Sequence, residues 1–526
     1  MDSKAEAEVS YSQFACVGTG FSAIALGATL RRWYDIEDIV FFEQHGQLGG
    51  TWFINQYPGC ACDVPSALYS FSFEPNPAWS RVLPSSGELW AYLDGVALNY
   101  DLKRRMSFGM RVDKCEWLEP AGRWRMTICH LKTGTILTHE CQFLFCATGQ
   151  LVQPRELDVP GRERFRGDMF HTARWRADVS LRDKKVVLFG NGCTAAQVVP
   201  AIVGSTRSLT QFVRAKHWIL PPIDREVPGW AHALLRRLPG LMGLQRLLVF
   251  LGAEHTLRGF PLTDAAARFR HAQRVKAERY MRAAAPQRYH DLLIPDFEVG
   301  CKRRIFDAGY LASLHDERLT LTDERPLEMV PEGVRTASGV VEADVVVLAN
   351  GFVTNEFLIG MDVRGVGGET LQQHWRQAFG GPEAYNCSVL SGFPNMFILL
   401  GPNAATGHTS AVMAAENSVN YALRVIRPVL EGSASVACLR GEAEKRYSDR
   451  MQAALRSTVW NSGCQSWYVR KADDDDGQTW NAMSYPWSQA HFWYRSVFPV
   501  WSDWEYRVRC LSLPPSPPLS PGGPQT

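Results

Sequence analysis

Two glycine-rich turns, each following a short apolar run, constrain the fold of this chain more than any other feature. The first, Gly18-Thr19-Gly20-Phe21-Ser22-Ala23, follows Phe14-Ala15-Cys16-Val17. The second, Gly190-Asn191-Gly192-Cys193-Thr194-Ala195, follows Val186-Val187-Leu188-Phe189. In a strand–turn–helix unit the first glycine permits the tight turn and the second lets backbone approach a pyrophosphate. The helix that follows aims its N-terminal amides at that group. Ala23 and Ala195 stand where a third glycine is common, and a methyl still allows close helix–strand packing. One such turn is weak evidence. Two, each followed by a helical pattern and a second strand, predict an α/β chain with two dinucleotide-binding units.

The ends of the second strands distinguish the two ligands. Ile39-Val40-Phe41-Phe42 runs into Glu43, whose carboxylate can accept hydrogen bonds from an adenosine ribose and repels a 2′-phosphate; the first site therefore suits FAD or NAD. Leu209-Thr210-Gln211-Phe212-Val213 runs into Arg214, with Lys216 close by, and a guanidinium there pairs with the 2′-phosphate of NADPH. The competing explanation is that Glu43 and Arg214 are ordinary charges at strand ends. A chain holding both FAD and NADPH is a flavoenzyme.

At 526 residues the chain is long enough for two or three domains. A net charge of +2, with both signs interspersed, gives no footprint for nucleic acid or an anionic membrane. The polar start of the chain does not read as a signal peptide, and thirteen cysteines then read as reduced thiols in a cytoplasmic protein. The stretch from Leu234 to Ala253 is apolar but broken by Arg236, Arg237, Pro239 and Arg246, so it predicts a pair of amphipathic helices, ahead of an interfacial role at a membrane, and no transmembrane span. Residues 511–526 are proline-rich and predict a disordered tail, and the run Asp473 to Asp476 predicts a solvated loop.

Alternating strands and helices place a first unit at about 10–160, closing on Phe143-Leu144-Phe145-Cys146-Ala147-Thr148-Gly149. A second unit, about 161–344, holds the second glycine turn and a helix-rich insertion at about 225–300. Val345-Val346-Val347-Leu348-Ala349-Asn350-Gly351 nearly copies the earlier strand and turn, which suggests that the chain returns there to the first domain. Met396-Phe397-Ile398-Leu399-Leu400 is a further buried strand. The organisation predicted is a discontinuous FAD domain, 10–160 and 345–510, with the NADPH domain inserted.

Between the units lies Phe165-Arg166-Gly167-Asp168-Met169-Phe170-His171-Thr172-Ala173-Arg174-Trp175, a Phe-x-Gly-x-x-x-His-x-x-x-Trp pattern. Earlier, Gly49-Gly50-Thr51-Trp52 continues through Tyr57-Pro58-Gly59 to Asp63. On these motifs the chain resembles class B flavoprotein monooxygenases, specifically the type I Baeyer–Villiger branch and its fungal secondary-metabolism members, from Phe14 to about Tyr506. It departs at Arg176, where proline or aspartate is usual, and at Asn350, where threonine is usual. The resemblance implies that one oxygen atom of O2 is inserted into a bulky lipophilic ketone through a C4a-peroxyflavin, giving an ester or lactone. The alternatives are heteroatom oxygenation or hydroxylation at the same centre and, remotely, a non-catalytic flavin-binding scaffold.

Residue by residue, the resemblance makes Arg303 the active-site arginine and Asp63 the acid that pairs with it. A structural interdomain ion pair is the plainer alternative. It places Lys302 with Arg214 on the 2′-phosphate and Trp467 on a loop over the nicotinamide. Gly50, Thr51, Trp52, Cys62, Tyr69, Val112 and Gln197 join the cofactor-binding set. His171 is expected to set domain orientation through backbone hydrogen bonds; direct acid–base work is the alternative. The Cys60-Ala61-Cys62 spacing does not suit a redox dithiol, and no histidine cluster reads as a metal site. The helical insertion and the aromatics Trp480, Trp487 and Trp493 are expected to form the substrate pocket.

Overall fold

The computed structural model describes residues 9–464, 466–471 and 479–508. The expected tail at 511–526 and the acidic run from Asp473 to Asp476 lie outside the described residues. Strand Ser10–Val17 sits in the middle of an eight-stranded sheet, parallel to Ile39–Glu43 on one side and Ile136–Cys146 on the other. Phe14, Ala15 and Cys16 have no solvent exposure, because helices or loops cover both faces; a continuous apolar run is what such a strand requires. Met106–Phe108 extends one edge, the antiparallel strands Met110–Leu118 and Arg123–His130 lie beyond Ile136–Cys146, and Asp362–Arg364 ends the sheet. Met396–Ile398 adds to Ile136–Cys146.

The second sheet has five parallel strands in the order Leu319–Thr322, Ser208–Phe212, Lys185–Phe189, Val345–Leu348, Asp168–His171. Two doubly wound sheets, each starting from a glycine turn, are the architecture predicted. One boundary is corrected: Val345–Leu348 does not return to the first sheet. It pairs with Lys185–Phe189 and Asp168–His171, and the chain returns only with Asp362–Arg364 and Met396–Ile398.

The near-copy has a physical origin. Each glycine turn needs a neighbouring strand whose end lies against it. Gly18 has φ +105°, and a Cβ there would meet the Ala147 carbonyl oxygen at 2.6 Å; Gly190 has φ +119°, and a Cβ there would meet the Ala349 carbonyl oxygen at 2.3 Å. Ala147-Thr148-Gly149 and Ala349-Asn350-Gly351 thus do the same job in two different sheets, and neither glycine could be replaced without backbone movement.

The stretch between the second sheet's strands contributes helices Gly229–Arg237, Leu241–His255 and Asp264–Ala284. Thr263 caps the last of these by accepting from the Ala266 amide, and the buried Arg270 ties it down through Glu298 and the carbonyls of Gly259 and Pro261. Among the described residues no helix is long and apolar enough to cross a membrane.

Candidate active site

Both glycine turns open into one cleft of about 1830 Å³. Gly18, Gly20, Phe21 and Ser22 line its first half with Glu43, Gly50, Thr51, Trp52, Asp63, Tyr69 and Val112. Gly190, Gly192, Cys193, Thr194, Gln197, Arg214, Lys302, Arg303 and Trp467 line its second half. Ala23, Cys62 and Ala195 do not line it. Ala23 and Ala195 lie in the first turns of helices Phe21–Tyr34 and Cys193–Ile202 with their methyls in the core; a helix start offers a ligand its amides, not these side chains. Cys62 is fully buried behind the wall, its sulfur accepting from the Val64 amide. Lys216 is also outside the lining, and its neighbour His217 is inside.

Glu43 is 5% exposed and braces the first turn: one oxygen accepts from the amide and hydroxyl of Thr19 at 3.1 and 2.9 Å, the other from the His45 amide at 2.9 Å. A carboxylate fixed in this way at the end of its strand keeps lone pairs for ribose hydroxyls. In the second half, Arg214 and Lys302 are close enough that their like charges interact. Burial, and then Arg214, lower the Lys302 pKa. Beside them burial and Lys302 hold His217 down to about 4, and its Nδ1 has no hydrogen-bond partner. Two neighbouring cations lining this half of the cleft are what an anion site requires.

Arg303 meets Asp63 bidentately, Nε to Oδ2 at 2.8 Å and Nη2 to Oδ1 and Oδ2 at 2.7 Å, although 240 residues separate them. Asp63 raises the arginine's pKa well above its usual value, against the opposing effect of burial. The tertiary structure brings this pair together through the segment that precedes Asp63. Tyr57 donates to Gln197 Oε1 at 2.9 Å, Gln197 Nε2 donates to the Ala61 carbonyl at 2.9 Å, and a Cβ on Gly59 would meet the Gln197 carbonyl oxygen at 2.5 Å. The first unit is thereby docked on helix Cys193–Ile202 of the second.

On the other side Arg303 is flanked by Cys193 and Tyr468. Trp467 packs on Tyr468 with ring centroids 4.1 Å apart, and its carbonyl accepts from Thr354 and Asn355. Tyr57 stood in the motif that ends at Asp63 without a role of its own, and no role was expected for Tyr468 or the half-buried Arg304. Arg304 stood beside Arg303 as a signal, but nothing in the spacing marked Tyr468.

The expectation of reduced cysteines throughout is corrected. Cys301 and Cys464 form a disulfide across 163 residues, with Cα atoms 6.3 Å apart, next to the Lys302–Arg303 pair at one end and to the segment bearing Trp467 at the other. Ten other described cysteines are free. The aromatic pocket is also corrected. Neither the helical insertion nor Trp480, Trp487 or Trp493 lines the cleft: Trp480 donates to the Pro382 carbonyl, Trp487 packs on Tyr485, and Trp493 is exposed. Ile359, Met361, Leu400 and Trp460 line it instead.

Outside the cleft lining, the structure joins His374, Glu383 and Glu444, a cluster the sequence reading did not foresee. Burial and the neighbouring Glu444 push the Glu383 carboxyl well above the usual carboxylate range.

His171 lies outside the cleft lining. Its Nε2 donates to the Gly351 carbonyl at 3.1 Å and its Nδ1 accepts from the Ala173 amide at 3.0 Å, while burial lowers its pKa. Both ring nitrogens of the neutral imidazole are therefore committed to backbone. Gly167 lies against Asp344, whose carbonyl oxygen a Cβ would meet at 2.2 Å, and Trp175 packs edge-on against Phe170 at 5.1 Å. Phe165 packs on the apolar cluster of the second sheet. Because His171 bridges strand Asp168–His171 to the turn at Gly351, His171→Gln is expected to slow reduction of the bound flavin by NADPH severalfold and leave the flavin absorbance unchanged. Stopped-flow reduction checks this; normal reduction with failed ketone turnover would return the residue to acid–base work.

The profile of the NAD(P)-binding Rossmann-like domain matches residues 16–85. A Baeyer–Villiger monooxygenase of Streptomyces coelicolor is 34% identical over 482 residues, covering 91% of this chain and 89% of that protein. The FAD-binding monooxygenase tazF of Aspergillus terreus is 30% identical over 490 residues, covering 91% of this chain and 86% of its own length. Among solved structures, closed cyclohexanone monooxygenase superposes with a TM-score of 0.83 at 21% identity, over 95% of this chain and all of that one. Steroid monooxygenase with NADP superposes at 0.80 and 24% identity, again over 95% of this chain. With identity at this level over nine-tenths of its length, and two glycine turns opening on a single cleft, the chain belongs to the Baeyer–Villiger monooxygenase family.

Proposed function

We propose that the protein is an FAD- and NADPH-dependent monooxygenase that inserts one atom of O2 into a bulky lipophilic ketone to give an ester or lactone, in the making of a polyketide or terpenoid secondary metabolite. Its organisation on this reading is a discontinuous FAD domain with the NADPH domain inserted at the second sheet. The observation that carries the reading is Arg303, locked by Asp63 where both halves of the cleft meet. The first turn would hold FAD and the second NADPH, the pair that would supply the reducing equivalents and the activated oxygen.

The chain's own residues bind, orient and stabilise charge. Gly18, Gly20 and the amides opening helix Phe21–Tyr34 receive the first pyrophosphate, and Glu43 receives its ribose. Gly190, Gly192 and helix Cys193–Ile202 do the same for the second, with Arg214 and Lys302 on its 2′-phosphate. Arg303 presents a permanent positive charge where an oxyanion develops on the attacked carbonyl, and its fork on Asp63 fixes that charge before the reaction begins. Ile359, Met361, Leu400, Trp460 and Trp467 give the cleft apolar walls, which favour a lipophilic substrate and exclude water around the reacting atoms. Arg176, the departure from the family pattern, pairs on the surface with Asp178 and Asp168 and does not touch the cleft, so it does not argue for heteroatom chemistry.

Oxygen-dependent NADPH oxidation measured against polycyclic ketones and matched thioethers tests the function. Products one oxygen atom heavier than the ketones, with ester carbonyls, are expected. Sulfoxides formed without any ester would overturn the reading.

A further inference from the structure

Helices Gly229–Arg237 and Leu241–His255 bury none of their residues, yet they carry one of the longest apolar stretches of the chain. Trp230 and Leu234 lie four residues apart on the first, Leu238 follows its end, and Leu244, Leu247, Leu248 and Leu251 recur at steps of three and four around the second; all seven are exposed. Trp230 is 71% and Leu248 61% exposed, values opposite to those such side chains reach in a core. Spacing of three and four puts each set on one face of its helix.

The polar groups of the longer helix point the other way. Arg246 donates to the carbonyls of Ala67 and Ser70 at 2.9 Å and faces Glu416 at 3.5 Å. Glu254 meets His408 at 3.0 Å and accepts from the Gln489 amide at 2.8 Å. Val249, Phe250 and Ala253 pack on the core. The helix is therefore apolar on its outer face and held by ions on its inner one, the reverse of a surface helix facing water. An exposed apolar face of this extent marks an interaction surface.

The whole-chain charge of +2 carries no footprint for an anionic membrane, but the local charge of this segment identifies an occupant. From Val227 to Ala253 there is no aspartate or glutamate, and Arg236 and Arg237 are exposed beside Leu234 and Leu238. Exposed leucines and Trp230, with Arg237 at the edge of their face, Arg236 exposed on the next turn and no acids, match the boundary of an anionic bilayer, where the apolar side chains enter the acyl region and the long guanidinium side chains reach phosphate headgroups. A second copy of the chain fits less well, because a two-fold contact would set these arginines near their own equivalents with no acid to pair them. At 9 and 15 residues the helices are too short to span a bilayer and would lie along it.

We propose that this helical pair docks the protein peripherally on anionic phospholipid membranes. The docked helix is the one whose Glu254 holds His408, and the flanking residues Thr406, Gly407 and Thr409 line the cleft, so the surface and the cleft share a wall.

Co-sedimentation of the purified full chain with vesicles of phosphatidylcholine alone, or of phosphatidylcholine with phosphatidylserine, tests this without reference to catalysis. The protein is expected to pellet with the mixed vesicles, less with phosphatidylcholine alone, and to be released in part by salt. The combined change Leu244→Ser, Leu247→Ser, Leu248→Ser, Leu251→Ser should lower partitioning at least about tenfold, with an unchanged melting temperature because all four side chains already face solvent. Arg236→Glu with Arg237→Glu should abolish the preference for phosphatidylserine. A wild-type protein that stays in the supernatant with both vesicles, or serine and glutamate variants that pellet like it, would overturn the proposal. A concentration-dependent dimer, dispersed by the serine variant and seen without vesicle binding, would overturn it also and give the surface to a second copy.

Discussion

Arg303→Ala is expected to retain bound FAD and to convert ketone to ester at least about 100-fold more slowly, the loss of one preorganised donor at a developing oxyanion being worth roughly 2.7–4 kcal/mol. The geometry sharpens the expectation. Nε and Nη2 are both engaged by Asp63, so the guanidinium is held as a rigid fork and its charge cannot swing away from the cleft. Arg303→Lys should be nearly as slow, because an ammonium on a flexible stem cannot reproduce two parallel bonds to one carboxylate. Truncation also leaves Asp63 without its partner, with a stability cost. The lysine variant, which keeps a cation beside Asp63, separates that cost from the chemical loss. The measurements are ester formation by mass, flavin absorbance and melting temperature on the same preparations. Ester formed by Arg303→Ala at near the parental rate would remove the Baeyer–Villiger reading and make heteroatom oxygenation the leading one.

For Arg214→Ala the expected result is a rise of about tenfold or more in KM for NADPH, with KM for NADH nearly unchanged. One charge-assisted hydrogen bond contributes roughly 1.5–3 kcal/mol, and only NADPH carries the phosphate that receives it. Lys302 limits the effect, since it lies close enough to Arg214 for their charges to interact and retains part of the anion site. The double variant Arg214→Ala, Lys302→Ala should therefore lose more than either alone and narrow the preference between the coenzymes further. Steady-state rates with each coenzyme decide the matter: an equal loss with both would mean that Arg214 supports the fold of the cleft and not the phosphate.

The glycine turns were legible because their requirements are local. A left-handed glycine, a small residue three positions on and an apolar strand before it all lie within a dozen residues, and nothing distant can substitute for them. The charges at the strand ends were legible for the same reason, since a parallel strand fixes where its last residue points. The Phe-x-Gly-x-x-x-His-x-x-x-Trp motif was recognisable as a pattern, but its physical meaning came only from the partner at Gly351, 180 residues from His171.

What the sequence could not decide was which strand joins which sheet and which distant side chains meet. Val345–Leu348 and Ile136–Cys146 look alike because each ends against a glycine turn, and only pairing along the whole strand distinguishes one sheet from the other. Cys301 and Cys464 show no spacing signal, since a disulfide depends on Cα separation in space. The same holds for Tyr468 beside Arg303, and for the tryptophans expected in the pocket: Trp480 satisfies a carbonyl elsewhere, Trp487 packs on Tyr485 and Trp493 faces solvent. The sequence by itself determined two nucleotide turns, their charge preferences and a candidate arginine and aspartate. The tertiary structure decided that this pair meets in one cleft, that a disulfide lies beside it, and that the leucines of the helical insertion face outward, because each of these depends on contacts between segments that no local rule relates.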